Sequence, residues 1–533
     1  KQGNVENFTS DSSNYAIGYE DGEVYLGFGV TYYTNGGYFE EDEAVDADQR
    51  QTSKTIVVRP NQTPVLPKVF HESKGFENWT YEQAGNTILF DENTTVQMSI
   101  TAVSANWGTT NVTVSGTKDG TNYTHSYVSL RDAVADSRSG DTINVVTNNL
   151  AASSGMVIRH SVTITGDTLI KTDDGILFTV EDTEKEDIRV QLSLTLDGNQ
   201  TSGSVLKVVS GEVDLSGTVI ENVAAADAQD KAYGQGALYV AGGEVNMRSG
   251  SKVQNNKTFG QGAGIYIESG SFVLHTSAEI TGNEATLEGG GIYVGKEGTL
   301  LLRGGTISGN KSGTALSAPR GSGIFSAGTL HLGDTSSTTQ ITVKDNPSAA
   351  AGQNNLALAD GCKMTFDGAL SADSRIGVSV ENPSQDYLTS GFAQKATIGT
   401  SEQEGTIQSD DTSLTLAYDT TAKELYIGYQ VTYELGASVA DGAYFTDEES
   451  LPVEDRNESR LAVIRANTHP KLPDARNGRQ ALGGWYQEDD TEITKDSYIT
   501  GDMTLKAKWV GAQCRIGEMY YATLSEAVAV ANQ

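Results

Sequence analysis

Four short strings decide the fold: Gly236-Ala-Leu-Tyr-Val240, Gly264-Ile-Tyr-Ile267, Gly291-Ile-Tyr-Val294 and Gly323-Ile-Phe-Ser326. They align on Leu238, Ile265, Ile292 and Ile324, in steps of 27, 27 and 32 residues. Leu206 stands one 32-residue step upstream and Leu356 one such step downstream. Each step holds two further strand-like runs. One opens after a glycine (Gly211, Gly243, Gly270, Gly298, Gly328). The other ends on an asparagine three residues past an apolar one (Asn222, Asn256, Asn283, Asn310, Asn346). A repeat of this length, made of three short strands alternating apolar and polar, predicts a right-handed parallel β-helix. Alternation sends Leu238, Val240, Ile265, Ile267, Ile292 and Val294 inward. The glycines suit corners needing positive φ, and the asparagines suit amide stacking from coil to coil at about 4.8 Å. An open stack end would template aggregation, and the helically spaced 127–137 stretch (Leu130, Ala133, Val134) is expected to cap it.

A longer repeat lies outside this one. Residues 24–32 match 425–433 at an offset of 401. The offset then becomes 406: Tyr38-Phe39 with Tyr444-Phe445, Arg59 with Arg465, Pro64 with Pro470, Trp79 with Trp485. Trp107 answers Trp509, and 127–134 answers 521–528. The chain therefore reads as a little more than one period of a unit of about 400 residues. The expected organisation is mainly β: 1–29, the end of a preceding β-helix unit; 30–109, a small β module; 110–428, the β-helix; 429–510, a second small module; 511–533, the start of the next β-helix.

Composition narrows the function classes. The 37 Lys+Arg and 70 Asp+Glu leave a formal charge of −33, which argues against a nucleic-acid binder and against docking on anionic membrane. No run of 18 apolar residues occurs, so no membrane span is expected. Cys362 and Cys514 read as unpaired thiols. The runs Glu40-Glu41-Asp42-Glu43 and Asp447-Glu448-Glu449 lack calcium-loop spacing and read as solvated acidic loops.

The small modules resemble the Listeria–Bacteroides repeat, the internalin-type B-repeat of bacterial surface proteins. The resemblance is carried by Leu482-Gly-Gly-Trp-Tyr486 and Ile499-Thr-Gly-Asp-Met-Thr-Leu-Lys-Ala-Lys-Trp509. The copy at Phe76–Trp79 and 94–107 is more divergent and lacks the Gly-Asp step. The resemblance implies a β-grasp-like fold and a spacer or weak binding role. The middle resembles the pectate-lyase-like β-helix of bacterial surface adhesins, through 289–294 and Gly-Gly-Thr-Ile-Ser-Gly-Asn at 304–310. That implies a fold and leaves activity open.

Two outward columns are the candidate ligand sites. Tyr239, Tyr266, Tyr293 and Phe325 share the outward slot of the first strand, a platform for sugar rings or a protein partner, or else a stabilising ladder. Ser216, Arg248, His275 and Arg303 follow the second strand. Stacked basic residues repel, so this column needs acids from neighbouring loops or an anionic glycan such as sialylated or sulfated mucin. No acidic column exists at Asp214, Asn246, Val273, Leu301 and His331, and no metalloprotease, Ser-hydrolase or Walker string occurs. No catalytic residue, metal or cofactor is therefore assigned. The resulting expectation is a non-catalytic segment of a tandem-repeat, cell-wall-displayed protein of a Gram-positive gut bacterium. It would lie outside the cell, monomeric along its own array, and bind a host glycan or a host protein such as immunoglobulin. The rival readings are a β-helical carbohydrate-active enzyme and a passive stalk.

Overall fold

The computed structural model describes residues 9–184, 186–224, 236–313, 320–347, 354–382, 384, 387–399, 405–517 and 519–532. Part of the expected leading segment, residues 1–8, thus lies outside the described residues. The chain divides into two compact units, residues 1–201 with 205–220 and residues 202–204 with 221–533. Both are mainly β.

The first unit opens with the hairpin Ala16–Glu20/Glu23–Tyr33, so position 29/30 falls inside one strand. Glu23–Tyr33 pairs antiparallel with Ser53–Val58 and parallel with Ile100–Gly108, which in turn pairs antiparallel with Gly75–Gln83. Phe28, Val30, Tyr32, Phe39, Trp79, Phe90 and Val103 bury together as this sheet's core. The hairpin Val112–Lys118/Thr121–Tyr127 follows, then the helix Leu130–Asp136 with Leu130, Ala133 and Val134 buried as their spacing requires. Parallel coils begin at Asp141–Val145, which pairs parallel with Val162–Lys171 and antiparallel with Val112–Lys118. The hairpin therefore closes the first edge of the stack with backbone hydrogen bonds, alongside the helix expected there.

In the second unit the coils stack in register. Leu238, Ile265, Ile292, Ile324, Leu356 and Val378 form one parallel row. Val245, Phe272, Leu300, Leu330 and Met364 form a second, and Val253, Ile280, Ile307, Val343 and Ile376 a third. All these side chains are buried, which is the inward half of the alternation. A fourth, very short row, Lys257–Thr258 with Glu284–Ala285 and a bridge to Lys311, was not expected. Two-residue strands carry no readable period.

The glycine expectation needs one correction. Gly264, Gly291 and Gly323, just ahead of the first-strand row, do not have positive φ. They are required by close approach: a Cβ on each would lie 2.8–3.1 Å from the side-chain amide of Asn283, Asn310 or Asn346. Positive φ falls two residues earlier, at Gly262, Gly289 and Gly321.

The stack continues to Ile407–Ser409 and meets the hairpin Thr415–Asp419/Glu424–Glu434. Glu424–Glu434 runs on into the second module, antiparallel to Ser459–Arg465 and parallel to Met503–Gly511. Val431, Tyr433, Phe445, Trp485, Ile499 and Leu505 bury as its core. The helix Leu524–Ala531 lies where the second helical stretch was expected and carries a Thr523/Glu526 capping box.

The two modules share more than apolar positions. Tyr32 packs edge-on against Trp79 at 5.1 Å, and Tyr433 against Trp485 at 5.0 Å. Trp107 Nε1 donates to Thr34 O and Trp509 Nε1 to Leu435 O. Arg50 lies over Tyr38 and donates to Val45 O; Arg456 lies over Tyr444 and donates to Leu451 O. The acidic runs are solvated only in part: Glu41, Asp447 and Glu449 are exposed, and Asp42 and Glu448 are buried. Glu41 pairs with Lys54 and Asp447 with Arg460, while buried Asp42 and Glu448 accept the backbone N–H of Gln51 and Asn457. Bases at the same 406-residue offset neutralise acids that look unpaired when read locally.

Candidate functional site

The deepest polar feature of the second unit is a ladder of buried amides. Asn256 donates its backbone N–H and its Nδ2 to Asn283 Oδ1, at 3.1 and 2.9 Å. Asn283 does the same to Asn310, Asn310 to Asn346, and Asn346 to Asn355. Each intervening Nδ2 also donates to a carbonyl one coil back, as Asn283 does to Val253 O and Asn310 to Ile280 O. Every rung points the same way, so the bonds polarise one another and no buried amide is left unmade. The ladder ends on Asp410. Asn355 alone stands one residue before a first strand, where the neighbouring coils have Gly264, Gly291 and Gly323, and there it adds a rung.

The expected aromatic column exists. Tyr239, Tyr266, Tyr293 and Phe325 stand in one register row. Tyr266 and Tyr293 stack at 5.2 Å with planes 3° apart, and Tyr293 and Phe325 at 5.6 Å and 13°. Tyr239 meets Tyr266 edge-on and donates its hydroxyl to Glu268. Arg320 lies 5.4 Å over Phe325 and is held by Glu288 and Glu381. Burial raises the hydroxyl pKa of Tyr266 and Tyr293. The inner rings spend their faces on each other and present mainly edges outward. A sugar ring needs a free aromatic face, so this geometry serves the stack better than a glycan platform.

The basic column is also assembled. His275 pairs in register with Arg303, and the Met247–Leu274 pairing places Arg248 in the same row. Arg248 and Arg303 are exposed and His275 is half-buried. His275 Nε2 lies 3.3 Å from Asn246 Oδ1. Asp334 is held below the usual carboxylate range, first by hydrogen bonds from Ser336, then by the charges of Arg303 and His275. It is thus an acid facing two members of the column. Ser216 belongs to the first unit and is exposed there. At the row expected to lack an acidic column, His331 faces Leu301 and reaches Asp367 at 3.0 Å.

Sequence reading missed three features of these units. Lys171 is fully buried, and burial pulls its pKa down to about 8. Asn355 and Asp410 end the amide ladder. His125, buried between hairpin and module, stacks on Phe70 at 3.5 Å with Nε2 2.6 Å from Glu43. The repeat itself held the signal for Asn355, since it aligns with Gly323.

In comparisons with protein-family models, curated proteins and solved structures, nothing matches this chain. Its class rests on the fold described above: a mainly β chain built on a stack of parallel-stranded coils.

Proposed function

We propose that the chain is a non-catalytic segment of a tandem-repeat bacterial surface protein. In this reading, right-handed parallel β-helices alternate with β-grasp-type modules of the Listeria–Bacteroides kind, and the array displays a binding surface to host ligands. The observation that carries the binding part is the Arg248–His275–Arg303 row, with both arginines exposed, on a chain of −33. Two exposed arginines in one row suit an anionic polymer that bridges them, as sulfated or sialylated mucin glycans would. The aromatic row supports that strand face from beside it and is not the contact surface.

The test is binding of the chain to sulfated and sialylated glycans at low and high salt, with Arg248→Ala/Arg303→Ala as the variant. Weaker, less salt-dependent binding in the variant supports the reading; unchanged, salt-insensitive binding sinks the assignment of this row. Pull-down from mucus and serum distinguishes a glycan from a protein such as immunoglobulin. New reducing ends or unsaturated products would replace the reading with a carbohydrate-active enzyme, and no capture at all with a passive stalk.

A further inference from the structure

We propose that the hairpin Ala16–Glu20/Glu23–Tyr33 is a docking surface for the end coil of a parallel β-solenoid of the kind formed here by residues 387–399 and 405–409. Val24 and Leu26 correspond to Leu425 and Ile427 in the 401-residue offset. Pairing of Ile17 with Leu26, and of Leu416 with Ile427, makes Ile17 the counterpart of Leu416 and Tyr15 that of Leu414. Val24, Leu26 and Ile17 have aliphatic counterparts and Tyr15 answers Leu414, but the surroundings of the two hairpins differ. Leu425 and Ile427 are 0% and 1% exposed, whereas Val24 and Leu26 are 46% and 54% exposed. Leu414 is 9% exposed and Tyr15 40%. Clustered apolar side chains on an exposed strand pair mark an interaction surface.

The second hairpin shows what covers such a face. Leu388 N–H donates to Leu425 O, and Leu425 N–H to Thr389 Oγ1. Gly391 and Phe392 give their N–H groups to Glu424, and Ala393 N–H bonds Lys423 O. Phe392 packs on Tyr418 at 5.7 Å. Tyr387 closes over the guanidinium of Arg465, which is also stacked on Tyr426, and donates to Asp419. The first hairpin carries half of that arrangement. Arg59 stacks on Tyr25 at 3.9 Å and pairs with Glu20, with Tyr25 donating to Val57 O as Tyr426 does to Val463 O. Among the described residues no second ring lies over Arg59. The occupant is therefore a coil end with an apolar edge, free N–H groups facing Glu23 and an aromatic placed to close over Arg59. A second solenoid of this repeat meets all three requirements.

The proposal rests on the alternating-module part of the reading above, and not on any ligand. Its test is a longer chain in which a copy of residues 110–413 is joined directly ahead of Tyr15, compared with the 533-residue chain by amide hydrogen exchange. Exchange at Val24 and Leu26 is expected to slow to within about tenfold of that at Leu425 and Ile427. Leu26→Asp is expected to lower the thermal midpoint of the longer chain and to leave that of the 533-residue chain unchanged. Unchanged exchange at 24–26 with the added coils folded overturns the proposal, and so does an equal loss in both chains. Either result leaves the glycan-binding test untouched.

Discussion

Asn355 donates its backbone N–H to one carboxylate oxygen of Asp410 and its side-chain amide to the other, each at 2.6 Å. This pair is where the amide ladder stops. A run of donors all pointing one way must end on an acceptor, and a carboxylate offers two without needing to donate. The buried polar column inside an apolar solenoid is thereby satisfied from Asn256 to Asp410, which is what allows it to be buried at all.

Breaking a middle rung should be costly. Asn283→Leu strips the acceptor from two donors of Asn256 and leaves Asn310 Oδ1 with only the backbone N–H of residue 283. The expected loss is about 2–4 kcal/mol, read from denaturant unfolding. A loss below about 0.5 kcal/mol would mean the ladder contributes no more than an ordinary surface site.

Asp410 behaves differently from its ladder partners. Burial raises its pKa above the ordinary carboxylate value, against the lowering effect of the two bonds from Asn355. The folded state therefore holds this proton more readily than the unfolded chain, and stability falls as pH rises through the folded pKa. Asp410→Asn keeps one oxygen able to accept both donors, as every other rung does. It should retain or raise the thermal midpoint at neutral pH and flatten its decline above about pH 4. Asp410→Leu should lower the midpoint, because both Asn355 donors lose their acceptor.

Tyr32 and Tyr433 bury their hydroxyls without a protein partner among the described residues, and burial raises the pKa of both, for Tyr433 to about 12. Removing an unpaired buried hydroxyl while keeping the ring is expected to be neutral or stabilising. Tyr32→Phe and Tyr433→Phe should each change stability by 0 to about +1 kcal/mol, whereas Trp79→Ala or Trp485→Ala should cost about 3–5 kcal/mol. A clear loss in the Phe variants would show that the hydroxyls do have a partner, an ordered water being the natural one.

His125 gives the first unit an acid-sensitive joint. Burial, with Lys68 and Arg138 nearby, holds its pKa below the ordinary value of 6.5, and Glu43 opposes that shift. The unfolded chain therefore takes up the proton first. The stabilising contribution is complete above about pH 6.5 and is lost as pH falls below it. Lys118, which approaches Glu43, and Tyr123, whose ring packs on His125, complete the surroundings. Between pH 7 and 5 the amides of Thr121–Tyr127 should lose protection, measured against their intrinsic exchange rates at each pH, and His125→Phe should suppress that change by keeping the stack on Phe70. Equal pH sensitivity in the variant would assign the effect to other groups.

The aromatic row should act on stability, not on sugars. Tyr266→Ser with Tyr293→Ser removes two stacked pairs at partly buried positions, for a loss of about 2–4 kcal/mol. Binding of neutral oligosaccharides should be unchanged; a fall in that binding with the fold intact would restore the platform reading.

Most of the coil architecture was legible because a solenoid writes its packing into a period. Leu238, Ile265, Ile292 and Ile324 align in the sequence and pair in register in the fold. Asn256, Asn283, Asn310 and Asn346 were readable the same way. Asn355 shows in the period only as the exception to its glycine column, and Asp410 lies beyond the last coil that the period marks. The ion pairs Glu41–Lys54 and Asp447–Arg460 were hidden for the opposite reason: they repeat only at 406 residues, and inside one copy they look like a charged loop.

The sequence by itself determined which side chains face the bore, where helices occur, and that two modules share one design, because alternation and repetition depend only on spacing along the chain. Only the tertiary structure shows how the outward rows are arranged. Whether a tyrosine offers its face or its edge depends on the ring above it. Whether Val24 or Leu425 meets water depends on a coil distant in sequence, and a local pattern cannot carry that contact.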